Sequence, residues 1–172
     1  MNEAYMMELL RQRYTRIRRG TDADRYVRAS HVRYPHDASN GLSFGQASRI
    51  ADYVVMDTYG TGEIIGHEVK VSRADWLSEL RDASKAETWK QHCHRWYLVV
   101  PDAQIVHPEE LPDGWGLMAQ TKTGPLRVRQ NAPLVPDPNP LTTLQLASLS
   151  RSLAKTRERE IRVLDPKREA YV

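Results

Sequence analysis

Asp52 and the run Glu68-Val69-Lys70 are the residues of this chain best suited to do chemistry. They lie in two apolar, β-branched stretches, residues 50–56 and 64–71, joined by Asp57-Thr58-Tyr59-Gly60-Thr61-Gly62. Two such stretches around a turn signal predict a β-hairpin. Alternation along a strand then puts Glu68 and Lys70 on one face and Val69 on the other. Two acids and a lysine within a sheet are costly to bury unless they share a partner. Magnesium takes hard oxygen ligands, so Asp52 and Glu68 would supply carboxylates and Val69 its backbone carbonyl. Lys70 would reach an attacking water or a phosphate. That set of roles suits hydrolysis of a phosphodiester, which needs charge neutralisation and an activated water.

The elements that must position these residues can be read from periodicity. Residues 3–19 predict a helix, with Met6, Leu9, Leu10, Tyr14 and Ile17 at helical spacing and Gly20 as a stop. Residues 25–34 predict a first strand, and residues 35–45 a turn-rich loop with Asn40-Gly41 at its tip. After the hairpin, residues 73–92 read as one helix with Ala74, Trp76, Leu77, Leu80 and Ala83 on its apolar side, uninterrupted by Gly or Pro. Residues 95–100 form a strand stopped by Pro101, and residues 102–114 a short connection. Residues 115–120 and 126–129 make a last pair of strands. A proline-rich linker, 133–140, leads to a basic C-terminal helix, 141–163. The order describes a mixed sheet with helices packed on it, a single α/β or α+β domain over residues 1–172.

Composition narrows the class. The 172 residues are 40% hydrophobic and 27% charged, ordinary for a globular protein with a real core. No apolar run approaches the ~20 residues of a membrane span. The N-terminus turns arginine-rich rather than apolar, against a secretory signal. The single cysteine, Cys93, excludes an internal disulfide framework and fits a cytoplasmic setting. The net charge is +3, unevenly spread: eight arginines fall between Arg11 and Arg33, and seven basic residues between Arg151 and Arg168. Basic ends around a mildly acidic centre suit a protein whose arginines hold a nucleic-acid backbone while carboxylates hold metal. The plainer reading is solvated helix faces with intrahelical pairs. His92-Cys93-His94 lacks a partner pair at ligand spacing, which argues against zinc. The four tryptophans fall at apolar positions and read as core.

Asp-x15-Glu-x-Lys on a hairpin resembles the signature of the PD-(D/E)XK nuclease superfamily, with Ala51 where a proline often precedes the aspartate. The likeness tightens towards MmcB-like DNA-repair proteins. These have segments similar to Arg49-Ile50-Ala51-Asp52, to Glu68-Val69-Lys70-Val71-Ser72-Arg73-Ala74-Asp75-Trp76 and to the stretches 93–101 and 116–118. They also carry a leucine- and arginine-rich C-terminal helix. The resemblance spans roughly residues 46–157. It implies a restriction-endonuclease-like fold and a Mg²⁺- or Mn²⁺-dependent DNA nuclease of repair, recombination or replication, with Asp52, Glu68 and Lys70 catalytic. It further implies phosphate binding by Lys85 and a glutamate on the first helix in the metal shell. Glu8, beside the apolar stripe, is the first choice for that glutamate, and Glu3 the second. Arg49, Arg73, Arg11 and Arg18 are candidate DNA contacts. Two alternatives stand beside the nuclease: a non-cleaving DNA-binding module on the same fold, and a homodimeric, structure-specific junction resolvase.

Overall fold

A computed structural model describes residues 2–35, 49–82, 84–122 and 124–164. The chain forms helix α1 (Glu3–Arg13) and strands β1 (Tyr26–Arg33), β2 (Ile50–Asp57) and β3 (Ile64–Val69). Helices α2 (Arg73–Leu80) and α3 (Ser84–Lys90) lead to β4 (Arg95–Val100). Then come β5 (Trp115–Gln120), β6 (Leu126–Gln130) and the long helix α4 (Thr143–Leu164). Short 3₁₀ turns at Ala103–Ile105 and Pro108–Glu110 connect β4 to β5. The expected Asn40-Gly41 turn lies outside the described residues.

The six strands form one sheet in chain order, β1-β2-β3-β4-β5-β6. The first three are antiparallel, β3, β4 and β5 are parallel, and β6 returns antiparallel. The product is a mixed α/β sheet flanked by helices. Alternation along β4 shows how the layers are built. Trp96, Leu98 and Val100 join Trp76, Trp89, Trp115 and Leu149 in a cluster with α2, α3 and α4. Tyr97 and Val99 instead join Met6, Leu9 and Leu10 of α1 and the adjoining Tyr14 on the other face. Both faces of β3 and β4 are covered, which is why these strands read as nearly continuous apolar runs. Among the described residues no helix is long and apolar enough to cross a membrane.

Three expectations are corrected. The first helix ends at Arg13, not residue 19. Beyond Tyr14 the chain folds back on itself: Ile17 bridges to Asp24, the Arg18 amide donates to the Ala23 carbonyl, and Gly20 sits at φ +78°. Ile17, counted above with the apolar stripe, is exposed. Arg16, Arg18 and Arg19 therefore belong to a turn, not to a helix face.

The helix expected over 73–92 is broken in two. Trp76 and Trp89 are 13 positions apart, which on one continuous helix would set them about 140° apart in azimuth. Both are buried in the same cluster, and a break at Arg81 and Asp82 lets each turn its ring inward. No glycine or proline marks this break, because tertiary packing imposes it.

The third correction concerns the C-terminal boundary: the last helix starts at Thr143, not residue 141. Thr142 and Gln145 cap it reciprocally, each side chain bonding the other's amide. The proline-rich segment before it is pinned to the body, Val135 donating to the His94 carbonyl and Asn139 to that of Gln91. Helix α4 lies along β1, with Thr156 bonded to Ser30, and Glu160 bonded to the buried Arg28.

Candidate functional site

The hairpin places Asp52 and Glu68 together. Tyr53 pairs with His67 in the β2–β3 register, so the next step sets Asp52 across from Glu68 on the same face. The Val69 amide donates to Asp52 Oδ2 at 2.8 Å. The part of Val69 that the structure ties to the acids is thus its N–H. Glu68 is buried, and its Oε1 accepts from Lys70 Nζ at 2.7 Å. Lys70 leaves β3 at its end, where its amide donates to the Val99 carbonyl, and its Nζ also meets Glu79 Oε2 of α2 at 3.0 Å.

These contacts set the electrostatics. Burial raises the Glu68 carboxyl, the nearby Asp52 charge raises it further, and Lys70 only partly offsets both, leaving it at about 8. Burial also raises Asp52, against the pull of the Val69 amide and Lys70. Burial alone would lower Lys70, but Glu68 and Glu79 outweigh it and hold the ammonium charged above its ordinary value. Three acidic groups around one ammonium form a site short of positive charge, which favours a proton on Glu68.

Asp52 also faces a second group. Ligand atoms of Glu3, His31 and Asp52 lie within 4.8 Å of one another. His31 reaches this position because β1 pairing lapses there: its φ is +51°, between the pairs Ser30–Tyr53 and Val32–Ala51. A histidine is among the non-glycine residues that tolerate this conformation. Glu8, the first choice above for the helix ligand, is committed elsewhere. It accepts from Arg11 at 2.6 and 2.7 Å and from Gln12 at 3.0 Å. The acid of α1 grouped with Asp52 is Glu3, the second choice, which meets His31 Nε2 at 3.8 Å.

Sequence reasoning missed Glu79 and His31. Glu79 carried a signal: it falls three positions after Trp76, on the buried side of α2, where an acid needs a partner. His31 carried none, since its position depends on a local backbone conformation.

The candidate DNA contacts are mostly engaged within the protein. Arg73 clamps Glu110 and donates to the Ile105 carbonyl at 2.9 Å. Arg11 holds Glu8, and Arg49 and Lys85 meet Asp82 at 3.5 and 3.6 Å. The Arg18 backbone closes the turn after α1 while the residue itself is exposed. The structure does not bring these five together at Asp52 and Glu68.

No protein-family model matches the chain, and no curated protein matches it. A solved structure of a protein of unknown function from Silicibacter pomeroyi is similar, with a TM-score of 0.50 and 21% identity over 83% of this chain and 82% of that one. At that identity the likeness speaks to the fold alone.

Proposed function

We propose that the protein is a metal-dependent nuclease of the PD-(D/E)XK type, on a restriction-endonuclease-like fold akin to MmcB-like proteins. It hydrolyses phosphodiester bonds of DNA in repair, recombination or replication. One observation carries the reading: Asp52 stands opposite Glu68 where β3 ends, with Lys70 bonded to Glu68. In sheets with parallel strands, ligands collect at the carboxyl ends of those strands. Here β3, β4 and β5 are the parallel set, and Glu68 lies at that end of β3.

The donors present fit Mg²⁺ or Mn²⁺. Asp52 and Glu68 offer hard oxygens, and each keeps one carboxylate oxygen outside its bond to Val69 or Lys70. These two acids would hold the ion, with Glu3 as a further carboxylate beside Asp52. When bound, the metal supplies positive charge that offsets the phosphate and eases deprotonation of a water. The chain's own residues do the rest. Lys70, kept charged by Glu68 and Glu79, is a proton donor in hydrogen bonds and acts by orienting the water or the phosphate. Glu79 aims Lys70 and is a positioning residue.

The test is cleavage of linear, flapped and four-way DNA with Mg²⁺ or Mn²⁺, alongside Mn²⁺ titration calorimetry. Asp52→Ala and Glu68→Ala lose both metal binding and cleavage, the latter by about a hundredfold or more. Wild-type rates from either folded variant defeat the reading. DNA binding by the wild-type protein with no cleavage on any substrate favours the non-cleaving module instead.

A further inference from the structure

A cavity of about 340 Å³ opens between α1, β1 and α4, beside the Asp52 group. Its apolar lining is Ala4 and Met7, with the buried Tyr53 beneath them. Tyr53 is 2% exposed, and its hydroxyl is buried with no hydrogen-bond partner among the described residues. The polar rim carries both signs. Glu8 is paired with Arg11, and Glu160 with Arg28, while Arg159 touches Ser30 at 3.4 Å. His31 belongs to this rim and also to the Glu3–His31–Asp52 group, so the cavity and the acids share a wall.

The volume lies in the range of small-molecule sites, a few hundred Å³, and suits one flat, heteroaromatic group. A free phosphate fits poorly, because the carboxylates Glu8 and Glu160 line the same rim and Arg11 is already paired with Glu8. A nucleobase fits well. Its faces match the Ala4 and Met7 side of the cavity. Its edge offers acceptors to arginine and an exocyclic amine to glutamate, the pairings by which proteins read base edges. We infer that this cavity takes the base of an unpaired nucleotide whose backbone runs past Asp52. The inference rests on the nuclease reading for its choice of ligand and names the substrate class: strands with an unpaired base next to the reacting phosphate. A base inside a duplex cannot enter a pocket without leaving its stack.

The experiment is calorimetric binding of dGMP and dAMP without divalent metal, with deoxyribose 5-phosphate as the ligand that lacks a base. The protein is the full chain. Wild type binds at least one nucleotide about tenfold more tightly than deoxyribose 5-phosphate. Ala4→Trp, an exposed position on the first turn of α1, fills the cavity and removes that difference. Arg159→Ala, also exposed, weakens nucleotide binding severalfold and serves if Ala4→Trp fails to fold. Equal binding of nucleotide and deoxyribose 5-phosphate overturns the inference, as does wild-type nucleotide binding by folded Ala4→Trp. The two readings separate cleanly. Metal-dependent cleavage without base-dependent binding removes the pocket and keeps the nuclease, and base-dependent binding without cleavage does the reverse.

Discussion

Replacing Glu68 with glutamine gives the most direct measure of the site's electrostatics. Glu68 has an ordinary value of 4.5 and is raised to about 8 in the fold. Its proton is therefore held by the folded state and lost by the unfolded one across that interval. Stability must fall as pH rises through it, by up to 1.36 kcal/mol per unit. His67 acts in the opposite sense. It is buried between Tyr14 and Tyr53 and lowered from 6.5 to about 3, so its contribution to stability grows as pH rises to 6.5. The two slopes oppose each other between 4.5 and 6.5, and Glu68 dominates from 6.5 to 8. Asp52 is raised too, and Lys70 titrates above its ordinary 10.5, outside the window. From pH 6.5 to 8 wild type loses stability on the order of 1 kcal/mol that Glu68→Gln does not lose. Urea unfolding of both proteins at half-unit steps over this window measures the difference. Parallel curves would refute the assignment of a buried, proton-holding Glu68. With excess Mn²⁺ at pH 8, wild type recovers the loss and Glu68→Gln gains nothing.

Three further outcomes are expected. Lys70→Ala releases Glu68 and Glu79, so calorimetry shows tighter Mn²⁺ binding while cleavage is lost; retained cleavage would remove Lys70 from the mechanism. Arg28→Met leaves the half-buried acids Asp24 and Glu160 without their partner and lowers stability by about 1–3 kcal/mol in urea, and an unchanged unfolding curve would contradict the packing of that triad. Gly66→Ala places a methyl 2.2 Å from the Trp96 ring, so unfolding free energy drops by about 1–3 kcal/mol with a shift in tryptophan emission, and an unchanged emission spectrum would count against that packing.

The parts of this molecule legible in its sequence are those fixed by local pattern. Alternation and the turn signal located β2 and β3, and with them the shared face of Glu68 and Lys70. What escaped depended on distant packing. The break before α3 follows from two tryptophans seeking one cluster, and the end of α1 from a turn closed by backbone bonds. The choice between Glu3 and Glu8 could not be settled by helical phase alone. Both lie on α1, and the local ion pair from Arg11 decided which remained for Asp52.

Because the sheet is laid down in chain order, the four central charges come from one stretch, Asp52 to Glu79. Bringing them together closes only short loops, which costs little chain entropy. Contacts so local in sequence form early and fast. During synthesis this centre can therefore be assembled while β6 and α4 are still emerging, before the cavity walled by α4 exists. The charged centre is thus built ahead of the cavity beside it.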